Sequence, residues 1–379
     1  MRIATMLIVL ILTVTTIGII TQIDGDYTAD PIGNEHSGTT LQYGEYLEVG
    51  GLMSATGAIE RVEYDGKTYI HAIDVGTGSA TIHGVTEEWT VTQSELYMFV
   101  LAGQSQAAYR NYDVTVANED DATVRGGQAW YYGTSSQPVK YTSTWASWDL
   151  STYGIYPMNN PDGSWCIGSL EAPFASEWVN TSGKNILILN TAISGRAIES
   201  FVEGADGWKY TMMILDDAAN KLSNHFTVHK VGVIWLHGQA NLNASVEYYV
   251  AQFGKVYDQY ATEGYDNWAI EQPRASEAPT IDKANLVICD TYPNCYIGST
   301  FGTEHITDDG PYIADGTHYN QKGRDIVGKE LAECYLNHIV PELAYHTVAK
   351  APSIIGIVPV VICAGVVLAL VRAAISRKD

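Results

Sequence analysis

The sequence predicts an α/β fold: a three-layer, mostly parallel sheet with helices on both faces, preceded by a small antiparallel β module and flanked by terminal hydrophobic segments. Three observations predict it. From Glu95 onward, short apolar runs bounded by Gly or polar residues recur, as in the buried strands of a parallel sheet. Apolar residues at helical spacing alternate with those runs, which implies a sheet covered on both sides. Two long, almost uncharged stretches lie near residue 1 and residue 379.

Residues 3–23 are nearly all apolar, with only Arg2 before them, which is enough to cross a bilayer core of about 30 Å. A secretory signal with a long apolar region is the other reading of this segment. Residues 351–371 carry no charge and are followed by Arg372, Arg377 and Lys378. Pro359 falls inside that run and is tolerated in a membrane helix. Positive-inside counting puts both termini in the cytoplasm if the first segment stays uncleaved, with everything between them outside the cell membrane. The expected division is 1–23 signal or membrane segment, 24–40 linker, 41–94 β module, 95–340 α/β domain, 341–350 linker, 351–372 transmembrane helix and 373–379 cytoplasmic tail.

The 379-residue chain carries a formal charge of −22, which argues against a nucleic-acid partner and against docking on anionic lipid. Its five cysteines include no CxxC pair and no Cys/His cluster at zinc spacing, so a structural metal is not expected. Cys289 with Cys295, and Cys166 with Cys334, are candidates for disulfides in an exported domain; buried free thiols are the equal alternative.

In the β module the segments YLEVGG, IERVEYDGKTYIHAIDV, ATIHGV and EEWTVT read as strands, with Asp65-Gly66 a hairpin turn. In the α/β domain strands are expected at 97–101, 185–189, 231–236, 268–270 and 286–289. Helix faces are marked by Trp208, Met212, Leu215, Ala219 and Leu222; by Val246, Tyr249, Val250, Phe253, Val256, Tyr257 and Tyr260; and by Ile326, Val327, Leu331, Cys334 and Tyr335. The stretch 107–182 lacks clear periodicity and reads as loops over the carboxyl edge of the sheet.

Four strand-end stretches carry the chemistry. In YMFVLAGQSQ, Ser105 follows a strand directly, where a nucleophile would be useful. In NILILNTAISGRAI, Gly195 lets a backbone N–H face an oxyanion without a side chain in the way. In VGVIWLHGQANLN, His237, Gln239 and Asn241 are candidate oxyanion donors, or simply a polar loop before a helix N-cap. In DGTHYNQKG, Asp315 and His318 are spaced so that a carboxylate on a turn reaches imidazole Nδ1–H and leaves Nε2 as a base.

Together these blocks resemble the SGNH (GDSL-like) hydrolases, in particular their sialate O-acetylesterase and acetylxylan-esterase-like branch, over about residues 97–336. The resemblance implies a flavodoxin-like fold and the removal of acetyl groups from sugar hydroxyls through an acyl-enzyme, with acylated carbohydrate as the partner and no metal or organic cofactor. It implies Ser105 as nucleophile, His318 as general base and acid, Asp315 as its orienter, and the N–H groups of Ser105 and Gly195 as most of the oxyanion hole. The chain departs from the family at Gln106, where Asn is usual, and at His237-Gly238-Gln239, where the family has Gln-Gly-Glu. The alternatives are a catalytically weak or inactive glycan-binding or structural surface protein on the same fold, and an acyltransferase that uses the same acyl-enzyme.

Overall fold

The computed structural model describes residues 40–108, 126–135, 137–138, 141, 144–165, 168–273, 278–304, 311–313 and 317–341. The expected terminal segments 1–23 and 351–372, together with Cys166 and Asp315, lie outside the described residues. Among the described residues no helix is long and apolar enough to cross a membrane.

The chain opens with seven strands: β1 (Thr40–Gln42), β2 (Tyr46–Glu48), β3 (Leu52–Gly57), β4 (Ile59–Tyr64), β5 (Lys67–Ala72), β6 (Gly76–Ile82) and β7 (Val85–Thr92). They form two small sheets, in the orders β1-β7-β6-β3 and β2-β5-β4. Leu41, Leu52, Ala80, Trp89 and Val91 of the first share one core with Ile59, Ile70 and Ala72 of the second. Asp65 (φ 46°) and Gly66 (φ 74°) make the expected two-residue turn, since a hairpin of this kind needs positive φ at both centres. His83 (φ 51°) and Gly84 (φ 83°) make a second such turn. ATIHGV is therefore the end of one strand, a turn and the start of the next, and not a single strand.

From β8 (Ser94–Gly103) the chain becomes α/β. There follow α1 (Ser105–Ala108), β9 (Ala129–Thr134), β10 (Gln137–Pro138), β11 (Gly154–Pro157), α2 (Glu171–Ser182), β12 (Asn185–Asn190), α3 (Asp206–Leu222), β13 (Phe226–Leu236), α4 (Val246–Thr262), β14 (Trp268–Glu271), α5 (Pro279–Thr291), β15 (Cys295–Ser299), α6 (Phe301–Glu304) and α7 (Gln321–Cys334). The strand order is β10-β9-β12-β8-β13-β14-β15, with β11 also on β9. The pairs from β9 through β15 are parallel, and β10 and β11 lie antiparallel on β9.

Alternation along the central strand splits the interior in two. Met98, Val100 and Ala102 face Tyr210 and Ile214 of α3, Phe253 of α4 and Ile281 of α5, while Phe99 and Leu101 face Phe174 and Trp178 of α2 and Leu331 of α7. Two expectations change. Residues 286–289 form part of α5, and the edge strand on β14 is β15. The stretch 107–182, expected to be loop throughout, contains α2 and the strands β9, β10 and β11, of which β9 is a sixth parallel strand. Cys289, Cys295 and Cys334 are free thiols, so the Cys289–Cys295 disulfide is not formed. Burial pushes the Cys289 and Cys334 thiols up to about 12 and raises Cys295 as well, which makes all three poor nucleophiles.

The β module seats on the amino ends of the sheet strands. Tyr43 stacks on His225 (4.3 Å) and meets Phe226 edge-on (5.0 Å), and Ser94 Oγ donates to the Tyr43 carbonyl (2.7 Å). The carboxyl ends stay clear of it.

Candidate active site

The loops after β8, β12 and β13 and the segment before α7 that carries His318 meet at the carboxyl ends of the central strands. β8 ends on Gly103 (φ 123°), and a Cβ there would lie 2.1 Å from the Leu236 carbonyl oxygen of β13. Only glycine lets the chain leave the sheet here, and two residues later it presents Ser105 at the start of α1. Ser105 is half-buried, and neither its N–H nor its hydroxyl makes a hydrogen bond among the described residues.

The two glutamines beside Ser105 are both buried, and each ties the turn to a different loop. Gln104 donates from Nε2 to Gln239 Oε1 and accepts the Ala240 N–H (2.9 Å). Gln106 donates to the Thr317 carbonyl (2.9 Å) and accepts the Tyr319 N–H (3.2 Å), bracketing His318 on both sides. The Gln106 amide thus reaches across to the histidine segment. His318 itself is half-buried, and Ser105 and His318 are brought onto facing segments without a hydrogen bond between them.

The loop after β12 extends the same rim. Thr191 N–H donates to the Leu101 carbonyl (2.8 Å) and Ile193 N–H to the Gly103 carbonyl (2.9 Å), carrying Ser194 and Gly195 alongside the Ser105 turn. Gly195 is exposed, with φ 70°, in a turn closed by Arg196 N–H on the Ile193 carbonyl (3.4 Å), and its own N–H has no partner among the described residues. Asn190 braces the base: its Nδ2 donates to Glu171 Oε1 (2.7 Å) and to the Ala107 carbonyl (3.2 Å).

The loop after β13 divides the three expected oxyanion donors. His237 is buried, with Nε2 3.0 Å from the Arg196 carbonyl and Nδ1 2.8 Å from the Tyr249 hydroxyl. A carbonyl only accepts, so Nε2 carries the hydrogen, and Nδ1 accepts from the phenol. Burial holds the imidazole neutral by pushing its pKa down to about 4. The ring therefore has no N–H to offer an oxyanion, and the expectation for His237 is corrected: it fixes the carbonyl one residue past Gly195.

Asn241 is likewise committed, accepting the Ile198 N–H (2.9 Å) and donating to the Glu199 carboxylate (3.4 and 3.5 Å). Gln239 is different. Its oxygen is held by Gln104, which leaves its half-buried NH2 as the end without a partner among the described residues. Three N–H sources thus remain open around the Ser105 turn: Ser105, Gly195 and Gln239. Gln104, Gln106 and Asn190, which hold this geometry, were not read as site residues from sequence. The paired glutamines around the serine were their only signal.

No family model matches the chain, and no curated protein matches it in sequence. Among solved structures, the chain is similar to a protein from Arabidopsis thaliana at 14% identity, covering 64% of this chain and 98% of that one, with a TM-score of 0.45. It is also similar to XAC1771, described as a novel carbohydrate acetylesterase from Xanthomonas citri, at 18% identity over 80% and 73% of the two chains, with a TM-score of 0.42. NanS matches at 13% identity over 65% and 98%, with a TM-score of 0.43.

Proposed function

We propose that the α/β domain is a serine esterase that removes O-acetyl, more broadly O-acyl, groups from extracellular carbohydrate. The observation that carries this reading is the Gln106 amide bonded to both Thr317 and Tyr319, which pins the His318 segment against the Ser105 turn. The open N–H groups of Ser105 and Gly195 and the Gln239 amide add the donors that acyl transfer needs.

In this mechanism His318 takes the Ser105 hydroxyl proton as the oxygen attacks the ester carbonyl, and the oxyanion is received by the three N–H sources. The C–O bond to the sugar breaks, His318 returns the proton to the sugar oxygen, and an acyl-serine remains. Water, deprotonated by His318, then releases the carboxylate product and restores Ser105. Asp315, outside the described residues, is assigned the orienting role by its DGTH spacing. The apolar runs near both termini favour tethering at the cell membrane with this domain outside. Release of the protein by carbonate washing of membranes would count against that arrangement.

Hydrolysis of p-nitrophenyl acetate is expected to fall about a thousandfold or more in Ser105→Ala and in His318→Ala. Equal background rates in wild type and Ser105→Ala overturn the enzyme reading. A second reading, a glycan-binding protein with little catalysis, is favoured by the missing Ser105–His318 hydrogen bond. Glycan-array binding that survives Ser105→Ala, with no turnover, would establish it. Catalytic contacts often close only with substrate bound, which keeps the esterase reading first.

A further inference from the structure

Behind the His318 segment lies a carboxyl that the acyl-transfer steps do not use. Glu271 ends β14, is fully buried, and accepts the Tyr319 hydroxyl at Oε1 (2.6 Å). Tyr319 is held at every polar atom: its N–H by Gln106 (3.2 Å), its carbonyl by Arg324 Nε (3.0 Å) and its phenol by Glu271. The backbone of α6 closes over this contact. A Cβ on Gly302 would fall 2.4 Å from the Tyr319 hydroxyl and 2.9 Å from Glu271 Oε1. The residue after His318 is therefore anchored into the end of a central strand, through a channel with no spare room.

We propose that Glu271, acting through the Tyr319 phenol, is a positioning residue for His318: the buried carboxyl seats the loop that carries the imidazole against the Ser105 turn. The proposal deepens the esterase reading and rests on it for the role of His318.

The charged and titratable groups facing Glu271 decide its charge state. Among the described residues they are Tyr319 in the loop, Asp282 on α5 and Glu330 on α7, while buried Arg324 of α7 donates from Nε to the Tyr319 carbonyl. Burial, with smaller contributions from Asp282 and Glu330, pushes the Glu271 carboxyl up to about 8, against the pull of the Tyr319 hydrogen bond. At neutral pH the seat is a neutral acid. The folded protein keeps a proton that the unfolded chain gives up above about 4.5, so this contribution to stability is complete below that pH and is lost as pH rises through about 8. Ionisation places a buried charge beneath the His318 loop.

Glu271→Gln keeps an oxygen for the Tyr319 hydroxyl and removes the titration, whereas Tyr319→Phe removes the hydroxyl. Two readouts are made across pH 6–10: the ring C–H resonance of His318 in histidine-labelled protein, and kcat and KM for p-nitrophenyl acetate. In wild type the His318 resonance is expected to show a step near pH 8 and kcat to fall through the same range. Both features should vanish in Glu271→Gln, with neutral activity kept. Tyr319→Phe should lose about tenfold in kcat with KM little changed, the signature of a misplaced catalytic group.

An alkaline step that persists in Glu271→Gln, or full activity in Tyr319→Phe, overturns the proposal. The resonance needs no turnover. A step that disappears in Glu271→Gln while no form hydrolyses ester supports the seat and removes the esterase reading alone.

Discussion

At the amino ends of the sheet strands, the neighbouring β module is held by rings and by backbone in direct contact. At the carboxyl ends, four loops are held by side-chain amides. Below, Tyr43 lies between His225 and Trp130, and a Cβ on Gly127 would sit 1.8 Å from the Gly44 carbonyl oxygen. Above, Gln104, Gln106, Asn190 and Asn241 each bond to segments distant in the chain. Aromatic packing is tolerant of direction and suits a joint that only has to hold. An amide fixes both a donor and an acceptor at set angles, which suits loops that must present N–H groups to one point.

The largest expected effects separate the two ends by one methyl group each. Gly103→Ala drives a Cβ to 2.1 Å from Leu236 backbone at φ 123°, where both strands are buried and cannot yield. A loss of about 3 kcal/mol or more is expected, with the Ser105 turn displaced in whatever folds. Gly127→Ala meets an equally hard obstacle at φ 80°, but at the module joint. A stability loss of similar size should leave kcat per folded molecule unchanged. Equal losses of activity in the two variants would mean that the ends are coupled, and the contrast would fail. Thermal unfolding with p-nitrophenyl acetate turnover on the same samples decides it.

The sequence showed where the strands end more clearly than what holds the loops above them. Strands β8, β12, β13 and β14 were legible because each is an apolar run closed by polar residues. The run at 286–289 has the same look, yet it belongs to α5, since four apolar residues fit either period; Pro279 at the helix start was the available signal. Helix α2 stayed hidden because Ala172, Phe174, Ala175, Trp178 and Val179 bury it nearly all round, which leaves no polar face and no stripe. Ser105, Gly195 and His318 were singled out from short motifs. The roles of His237 and Glu271 were not, because each depends on a partner that only folding supplies: Arg196 and Tyr249 for the imidazole, Tyr319 for the carboxyl.

A middle-sized effect tests the amide-held end through pH. His237 is neutral in the fold, with its pKa pushed from 6.5 to about 4 by burial. The unfolded chain takes up a proton below about 6.5 while the fold resists until about 4, so this contribution is complete above pH 6.5 and is lost as pH falls between those values. Its full size is about 3 kcal/mol. His237→Gln should flatten the acid limb of the thermal stability profile between pH 6.5 and 4. An unchanged limb in that variant would show that other groups carry the acid sensitivity of the upper rim.

The smallest effect belongs to the module joint and sharpens the contrast from below. His225 Nε2 lies 3.2 Å from Asp74 Oδ1, but the Asp74 side chain is 69% exposed. Water screens such a pair, and the two side chains lose freedom in forming it, so Asp74→Asn should change stability by less than about 0.5 kcal/mol. The same His225 ring stacks on Tyr43, so Tyr43→Ala, which removes the ring contacts and leaves Asp74 in place, should cost about 2 kcal/mol or more. If Asp74→Asn proved as damaging as Tyr43→Ala, the joint would be electrostatic, and the division between a ring-held lower end and an amide-held upper end would not stand. Urea unfolding at low and at high salt measures both variants on one scale, because a charge pair weakens with salt and ring packing does not.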